Sequence, residues 1–236
     1  QYNQGKIYCT TVPYQDFGKN SYMLQIIDAN TGQLEGKLLN SSDYNKGWNG
    51  PISRSNGFFF SKTSDQPKFV QIFMDTVMQI DKGKVSPILV LNTKKWITQK
   101  DMDIFINKMS QKRSSIRLVG VIEKRSYDIF TYIEHQDFII IRYYYDNLSE
   151  QLIHNTKNNK TLLGDFFNDD LTYNTLSISP KLCCSDGTGV YGYISDLQIS
   201  YFINSVYEGK LSSMIENVEE LKKLNDTSNP IIFYYE

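Results

Sequence analysis

The feature that most constrains this chain is a cadence. Runs rich in aromatic and β-branched residues reach a short Asp/Asn/Gly/Lys turn, and a second run follows. Tyr22–Asp28 leads into Asn30-Thr31-Gly32, Thr76–Asp81 into Lys82-Gly83-Lys84, and Phe138–Asp146 into Asn147. Strand formers on both sides of turn residues that tolerate positive φ are the sequence signature of antiparallel hairpins. Composition points the same way. The chain has 17 Tyr and 13 Phe but a single alanine, Ala29. A chain so poor in the best helix former and so rich in strand formers is expected to be all-β.

Further strands are expected at Lys6–Val12, Gln33–Leu39, Phe58–Lys62, Lys68–Asp75, Val85–Leu91, Ile116–Glu123, Asp128–Glu134, Gln151–Asn155, Lys160–Phe166, Leu176–Cys184 and Val190–Ile194. Between them the polar stretch Asn40–Gly57 reads as a long loop, a place where function often sits. The period changes after Thr98, a helix cap. Met102, Phe105, Ile106 and Met109 then recur at offsets of three and four, which predicts a short helical insert over Gln99–Ser110. Ser195-Asp196 starts a second helix with Leu197, Tyr201 and Phe202 on one face. A third is expected over Lys210–Leu224, stopped by Asn229-Pro230, with Ile231–Tyr235 as a final strand.

The turns at Asp28, Asp81 and Asp146 imply a repeating unit of about 40–55 residues, the range of a four-stranded propeller blade. The reading is one domain over residues 1–236, a β-propeller with about four blades visible, closed by the strand Ile231–Tyr235. A β-sandwich is the competing architecture.

Charge and cysteine content exclude some partners. The net charge of -1 carries no basic stripe for nucleic acid; Lys108–Arg117 is a local excess that reads as a solvated face. No apolar run reaches the roughly 20 residues that span a bilayer. Gln1 points to a processed or truncated start. Cys9, Cys183 and Cys184 are an odd set and no disulfide framework. Adjacent cysteines on a strand face opposite ways, so at least one of the pair is expected to be an inert buried thiol.

Two segments resemble a known family. Phe73-Met74-Asp75-Thr76-Val77-Met78-Gln79-Ile80-Asp81-Lys82-Gly83-Lys84-Val85-Ser86-Pro87 is similar to the "D-T-I-Y-x-I, turn, G-x-[IV]-x-P" hairpin of six-bladed β-propeller proteins of Bacteroidetes, relatives of NHL-type propellers. The run from Glu219 through Asn229-Pro230 to Tyr235 resembles their C-terminal helix, acidic turn and closing strand, and Phe130–Tyr145 resembles the hairpin that precedes it. The likeness covers Phe58 to the C-terminus. It implies a secreted or lipid-anchored envelope protein, often beside nutrient-uptake machinery, with no common catalytic set. Family members are longer, so the resemblance implies either a propeller lacking N-terminal blades or a reduced ring.

The candidate ligand residues are Asp43, Trp48, Asn49 and Arg54, all in the long loop. An exposed Trp48 could stack on a sugar ring or anchor a partner; a buried Trp48 is the alternative and the commoner case. Asp43 and Asn45, two apart beside Gly47 and Gly50, have oxygens at alternate positions, as calcium loops do, but the completing acidic residue is missing and no metal is expected. Asn168-Asp169-Asp170 reads as a solvated turn. His135 and His154 have no local nucleophile motif, although a triad can assemble in space. Ser185–Gly189 could cradle an anion with its backbone amides or be a plain turn. Of Tyr143-Tyr144-Tyr145 and of Tyr234-Tyr235, one each is expected in the core.

The expectation is therefore a non-enzymatic module of the cell envelope, in the periplasm or on the outer-membrane surface, serving as an accessory binding or assembly subunit for a protein partner. No cofactor is expected. The alternatives are a glycan-binding protein using aromatic loop residues, or a propeller lyase or hydrolase.

Overall fold

The computed structural model describes residues 1–10, 22–48, 57–61, 64–93, 95–111, 123–164, 180–209, 215–225 and 230–236. They form four antiparallel sheets, each made of strands consecutive in sequence. The first holds β1 (Tyr2–Asn3), β2 (Lys6–Thr10), β3 (Tyr22–Asp28) and β4 (Leu34–Asn40), followed by a helical turn, α1 (Ser41–Tyr44). The second holds β5 (Phe58–Ser61), β6 (Ser64–Phe69), β7 (Thr76–Asp81) and β8 (Lys84–Val90), followed by α2 (Gln99–Gln111). The third holds β9 (Ser126–His135), β10 (Phe138–Tyr145), β11 (Leu148–Asn155) and β12 (Lys160–Gly164). The fourth has three strands, β13 (Lys181–Ser185), β14 (Val190–Ile194) and β15 (Ile231–Tyr235), with α3 (Asp196–Tyr207) and α4 (Val218–Leu221) between the last two.

The hairpin cadence has a direct backbone counterpart. Gln4-Gly5, Lys82-Gly83 and Asp146-Asn147 each have positive φ at both residues and join paired strands, the geometry of two-residue type I′ turns. At the Asp28 turn the carboxylate accepts from the amides of Asn30 and Thr31 and from the Thr31 hydroxyl, which fixes the loop before Gly32.

Several expected boundaries move. The strand expected over Lys68–Asp75 ends at Phe69; a buried turn follows, with Phe73 at φ 71. Of the helix expected over Lys210–Leu224, residues 210–214 lie outside the described residues, and the described part is helical only over Val218–Leu221, because Asn217 sits at φ 62 and a left-handed residue cannot continue an α-helix. The strand Ile116–Glu123 falls mostly outside the described residues. The final strand was expected to close a ring; it pairs instead with β14, its neighbour across two helices, and completes its own sheet. The Thr98 cap forms as expected: the Thr98 hydroxyl accepts from the Asp101 amide, and Asp101 accepts from the Thr98 amide and hydroxyl.

Three apolar clusters organise the sheets. The largest joins the first three, with Tyr8, Leu24, Phe69, Phe73, Ile129 and Ile141 among its buried members. Met102 brings α2 onto it, fully buried. A second cluster packs α3 on the fourth sheet through Ile199, Phe202 and Phe233, with Phe202 edge-on to Phe233 at 5.5 Å. A third, small cluster of Ile133, Ile140 and Val190 seals the seam between the third and fourth sheets. The leading strands β5, β9 and β13 touch one another, so three sheets converge on their first strands.

Candidate functional site

Of the long loop singled out from the sequence, the described residues 40–48 form a helical turn and then run inward. Asn40 caps α1 through its side chain, which accepts from the Ser42 amide. After α1 the chain turns at Lys46 and Gly47, both at positive φ, and drives Trp48 into the core. Trp48 is 3% exposed and lies edge-on to Phe73 with ring centroids 5.3 Å apart. The ring is therefore not presented to solvent as a stacking platform. Asp43 is exposed on α1, and Asn49 and Arg54 lie outside the described residues. The structure does not bring Asp43 and Trp48 to one surface.

The Phe73 carbonyl is the hub of this region. It accepts from the Lys46 ammonium at 2.9 Å and from the Trp96 indole at 3.1 Å. Burial lowers the Lys46 pKa, and Asp75 opposes that shift. The strained backbone at Phe73 is thus held by two donors from different loops and by its own amide, which donates to the Tyr127 carbonyl at 2.7 Å.

A buried polar cluster joins the second and third sheets. Lys68, only 2% exposed, donates to Gln79 Oε1 at 2.8 Å and to the Gln66 carbonyl at 3.3 Å, and stands 3.9 Å from the Glu134 carboxylate. The register places Lys68 directly opposite Gln79 on β7, which is why the two meet. Tyr132 donates to Glu134 at 2.7 Å. Desolvation lowers the Lys68 pKa and raises that of Tyr132, the latter reinforced by Glu134. The cluster is sealed from solvent at Lys68, so its role is to fix how the two sheets meet.

The seam between the third and fourth sheets carries the chemistry that sequence reading missed. His135, at the end of β9, and Ser185, at the end of β13, are 50 residues apart, and Nδ1 and Oγ lie 2.9 Å from one another. Ser185 Oγ also accepts from the Gly187 amide at 3.0 Å, while the direction of its bond with His135 follows the imidazole tautomer. Among the described residues no carboxylate bonds the other ring nitrogen. The turn that follows is satisfied from within. Asp186 accepts from the amides of Thr188 and Gly189, both at 2.9 Å, and from the Thr188 hydroxyl; its second oxygen accepts from Tyr191 at 2.9 Å. These bonds hold the Asp186 carboxyl well below the usual carboxylate range. The amide of Asp186 is taken by the Gly189 carbonyl, that of Gly187 by the Ser185 hydroxyl and those of Thr188 and Gly189 by the Asp186 carboxylate, so an anion would have to displace Asp186.

The cysteine expectation is corrected here. Cys183 and Cys184 are both exposed free thiols. Leu182 pairs with Gly192 and Cys184 with Tyr191, so Cys183 is an extra residue in β13, a β-bulge. The bulge breaks strand alternation and brings the two sulfurs within 3.7 Å. Cys183 Sγ donates to the Tyr191 carbonyl at 3.4 Å. The tyrosine expectation holds for Tyr143, which is buried, and in part for the last pair, where the half-buried Tyr235 packs against the second core cluster beside the buried Phe233 while Tyr234 is exposed. A cavity of about 600 Å³ lies beside β15, lined by Ile215, Asn217, Leu221, Phe233 and Tyr235 among others. Neither Asp43 nor Trp48 lines it.

No family model matches the chain, and no curated protein matches it in sequence. Among solved structures, the crystal structure of a protein described as exported, from Bacteroides fragilis NCTC 9343, is similar. The TM-score is 0.67 at 11% identity, over 97% of this chain and 61% of that one. The chain thus spans less than two thirds of that protein's length. At this identity the likeness shows the fold alone.

Proposed function

We propose that the four sheets are blades of a β-propeller and that the chain is a non-enzymatic accessory subunit of the cell envelope that binds a protein partner. The observation that carries this reading is a set of exposed apolar side chains on three edge strands. Leu34 on β4, Ile88 and Val90 on β8, and Leu162 and Leu163 on β12 all lie on the last strand of their sheets. Val90 is 59% exposed, and Leu162 and Leu163 are 62% exposed each. Apolar side chains on unpaired edge strands invite a covering partner. The blade reading draws support from the mutual contact of β5, β9 and β13, since first strands line the axis of a propeller. The envelope location rests on the exported Bacteroides protein of similar fold and on the family resemblance; among the described residues no helix is long and apolar enough to cross a membrane. Glycan binding ranks second, because the burial of Trp48 removes its strongest candidate platform.

Affinity capture from native membranes, compared between the wild type and a Leu162→Asp, Leu163→Asp variant, tests the proposal. A defined partner should be recovered with the wild type and lost with the variant. Recovery of the chain alone in both cases sinks it.

A further inference from the structure

A regular strand sends adjacent side chains to opposite faces. The bulge at Cys183 cancels that alternation, so two exposed sulfurs stand 3.7 Å apart on consecutive residues, one of them held by the Tyr191 carbonyl. Two chemistries could use such a pair, and geometry separates them. A disulfide needs sulfurs about 2.05 Å apart and Cα atoms at least about 4.4 Å apart. Consecutive Cα atoms across a trans peptide are only about 3.8 Å apart, so bridging would strain the strand. A tetrahedral cation with metal–sulfur bonds of about 2.3 Å holds two thiolates about 3.8 Å apart. The observed separation fits that bite with no backbone movement.

We propose that Cys183 and Cys184 form a bidentate thiolate site for a soft, thiophilic divalent cation of the zinc group. Two metal–sulfur bonds form, two S–H bonds break, and both protons leave to solvent; no electron changes hands. Among the described residues no third His, Cys, Asp or Glu converges on the pair. Two thiolates fill half of a tetrahedral shell, which leaves two positions for water or another donor. Metal must displace a proton from each thiol, so affinity rises with pH. The inference is independent of the propeller and partner readings.

The test is titration of the full, reduced chain with Cd²⁺, followed by thiolate-to-metal charge-transfer absorption and by proton release. The expected result is one metal per chain and two protons released per metal. Affinity should fall at least tenfold in each of Cys183→Ser and Cys184→Ser and stay unchanged in Cys9→Ser. A second measurement needs no variant: Cd²⁺ should protect Cys183 and Cys184 of the wild type, but not Cys9, from alkylation read by mass spectrometry. Full absorption in either Cys183→Ser or Cys184→Ser, two chains per metal, or alkylation of the pair unchanged by Cd²⁺ would each overturn the proposal. So would conversion of the pair to a disulfide in preference to metal uptake.

Discussion

Asp101 ties the start of α2 to the third sheet, and its removal gives a stability change whose sign and pH range follow from the structure. Its carboxylate caps Thr98 and receives Arg125 in a two-pronged contact, Nε at 2.9 Å and Nη2 at 3.2 Å. Arg125 immediately precedes β9, so the pair pins helix to strand. Burial works against ionisation here, but the hydrogen bonds from Arg125 and Thr98 outweigh it and bring the carboxyl from 3.8 down to about 2. That gap corresponds to about 2.4 kcal/mol at about 1.36 kcal/mol per tenfold change in acidity. Because the Arg125 side chain is 37% exposed, solvent screening reduces it, and we expect Asp101→Asn to cost about 1–2 kcal/mol at pH 7. The folded value is depressed, so this stabilisation is fully present above the unfolded value and is lost as pH falls through the folded one. The difference between wild type and variant should therefore shrink to about half near pH 3 and vanish below about pH 2. Urea unfolding followed by circular dichroism at several pH values between 7 and 2 measures it. An Asp101→Asn cost that is absent at pH 7, or that is the same at pH 7 and pH 3, would refute the reasoning.

Three further outcomes are expected. Trp48→Ala empties the pocket against Phe73 and should cost about 3–5 kcal/mol in urea unfolding; an unmoved midpoint would mean that the ring is not part of the core. Gly189→Ala would place a Cβ 2.4 Å from Tyr234 Cε2 and 2.6 Å from the Tyr235 carbonyl, so β15 must shift. A loss of about 1–3 kcal/mol is expected, read as a lower Tm, and an unchanged Tm would contradict the packing at that edge. Leu163→Asp alters only an exposed edge position and should leave stability within about 0.5 kcal/mol while weakening partner capture; a strongly destabilised variant would instead place Leu163 in a packed interior.

The sheets were legible because their determinants are local. Asp28, Lys82-Gly83 and Asp146-Asn147 encode hairpins within a few residues, and β3, β7, β10, β14 and β15 fall at their expected bounds. Legibility failed where one residue's backbone decides a longer segment. The apolar spacing of Leu211, Ile215, Val218 and Leu221 suggested a continuous helix, yet Asn217 in the left-handed region breaks it within the described residues, just before the single turn Val218–Leu221. The run after Phe69 is apolar enough for a strand, but its side chains, Val70, Ile72, Phe73 and Met74, are all buried in the largest core. Hydropathy alone cannot tell a buried turn from a buried strand.

The candidate sites were less legible, for a related reason: they depend on register and on distant pairing. The burial of Trp48 is set by the positive-φ turn at Lys46-Gly47 and by Phe73, 25 positions further on, and only the turn has a local signal. The meeting of His135 with Ser185 requires β9 and β13 to pack, which no spacing encodes. The cysteine pair differs, because a signal was present. Alternation would have hidden one thiol, but Gly192 lies inside a strand, between Tyr191 and Tyr193, and an interior glycine is a marker of a bulge or of close backbone approach. A Cβ there would meet Pro180 at 3.0 Å. The bulge falls on the partner strand opposite this glycine, and the one extra residue it inserts turns two ordinary strand positions into adjacent, outward-facing thiols. Shifting β13 by that single residue back into regular register would separate the sulfurs again, so the metal-binding test also reports on whether the bulge exists in solution.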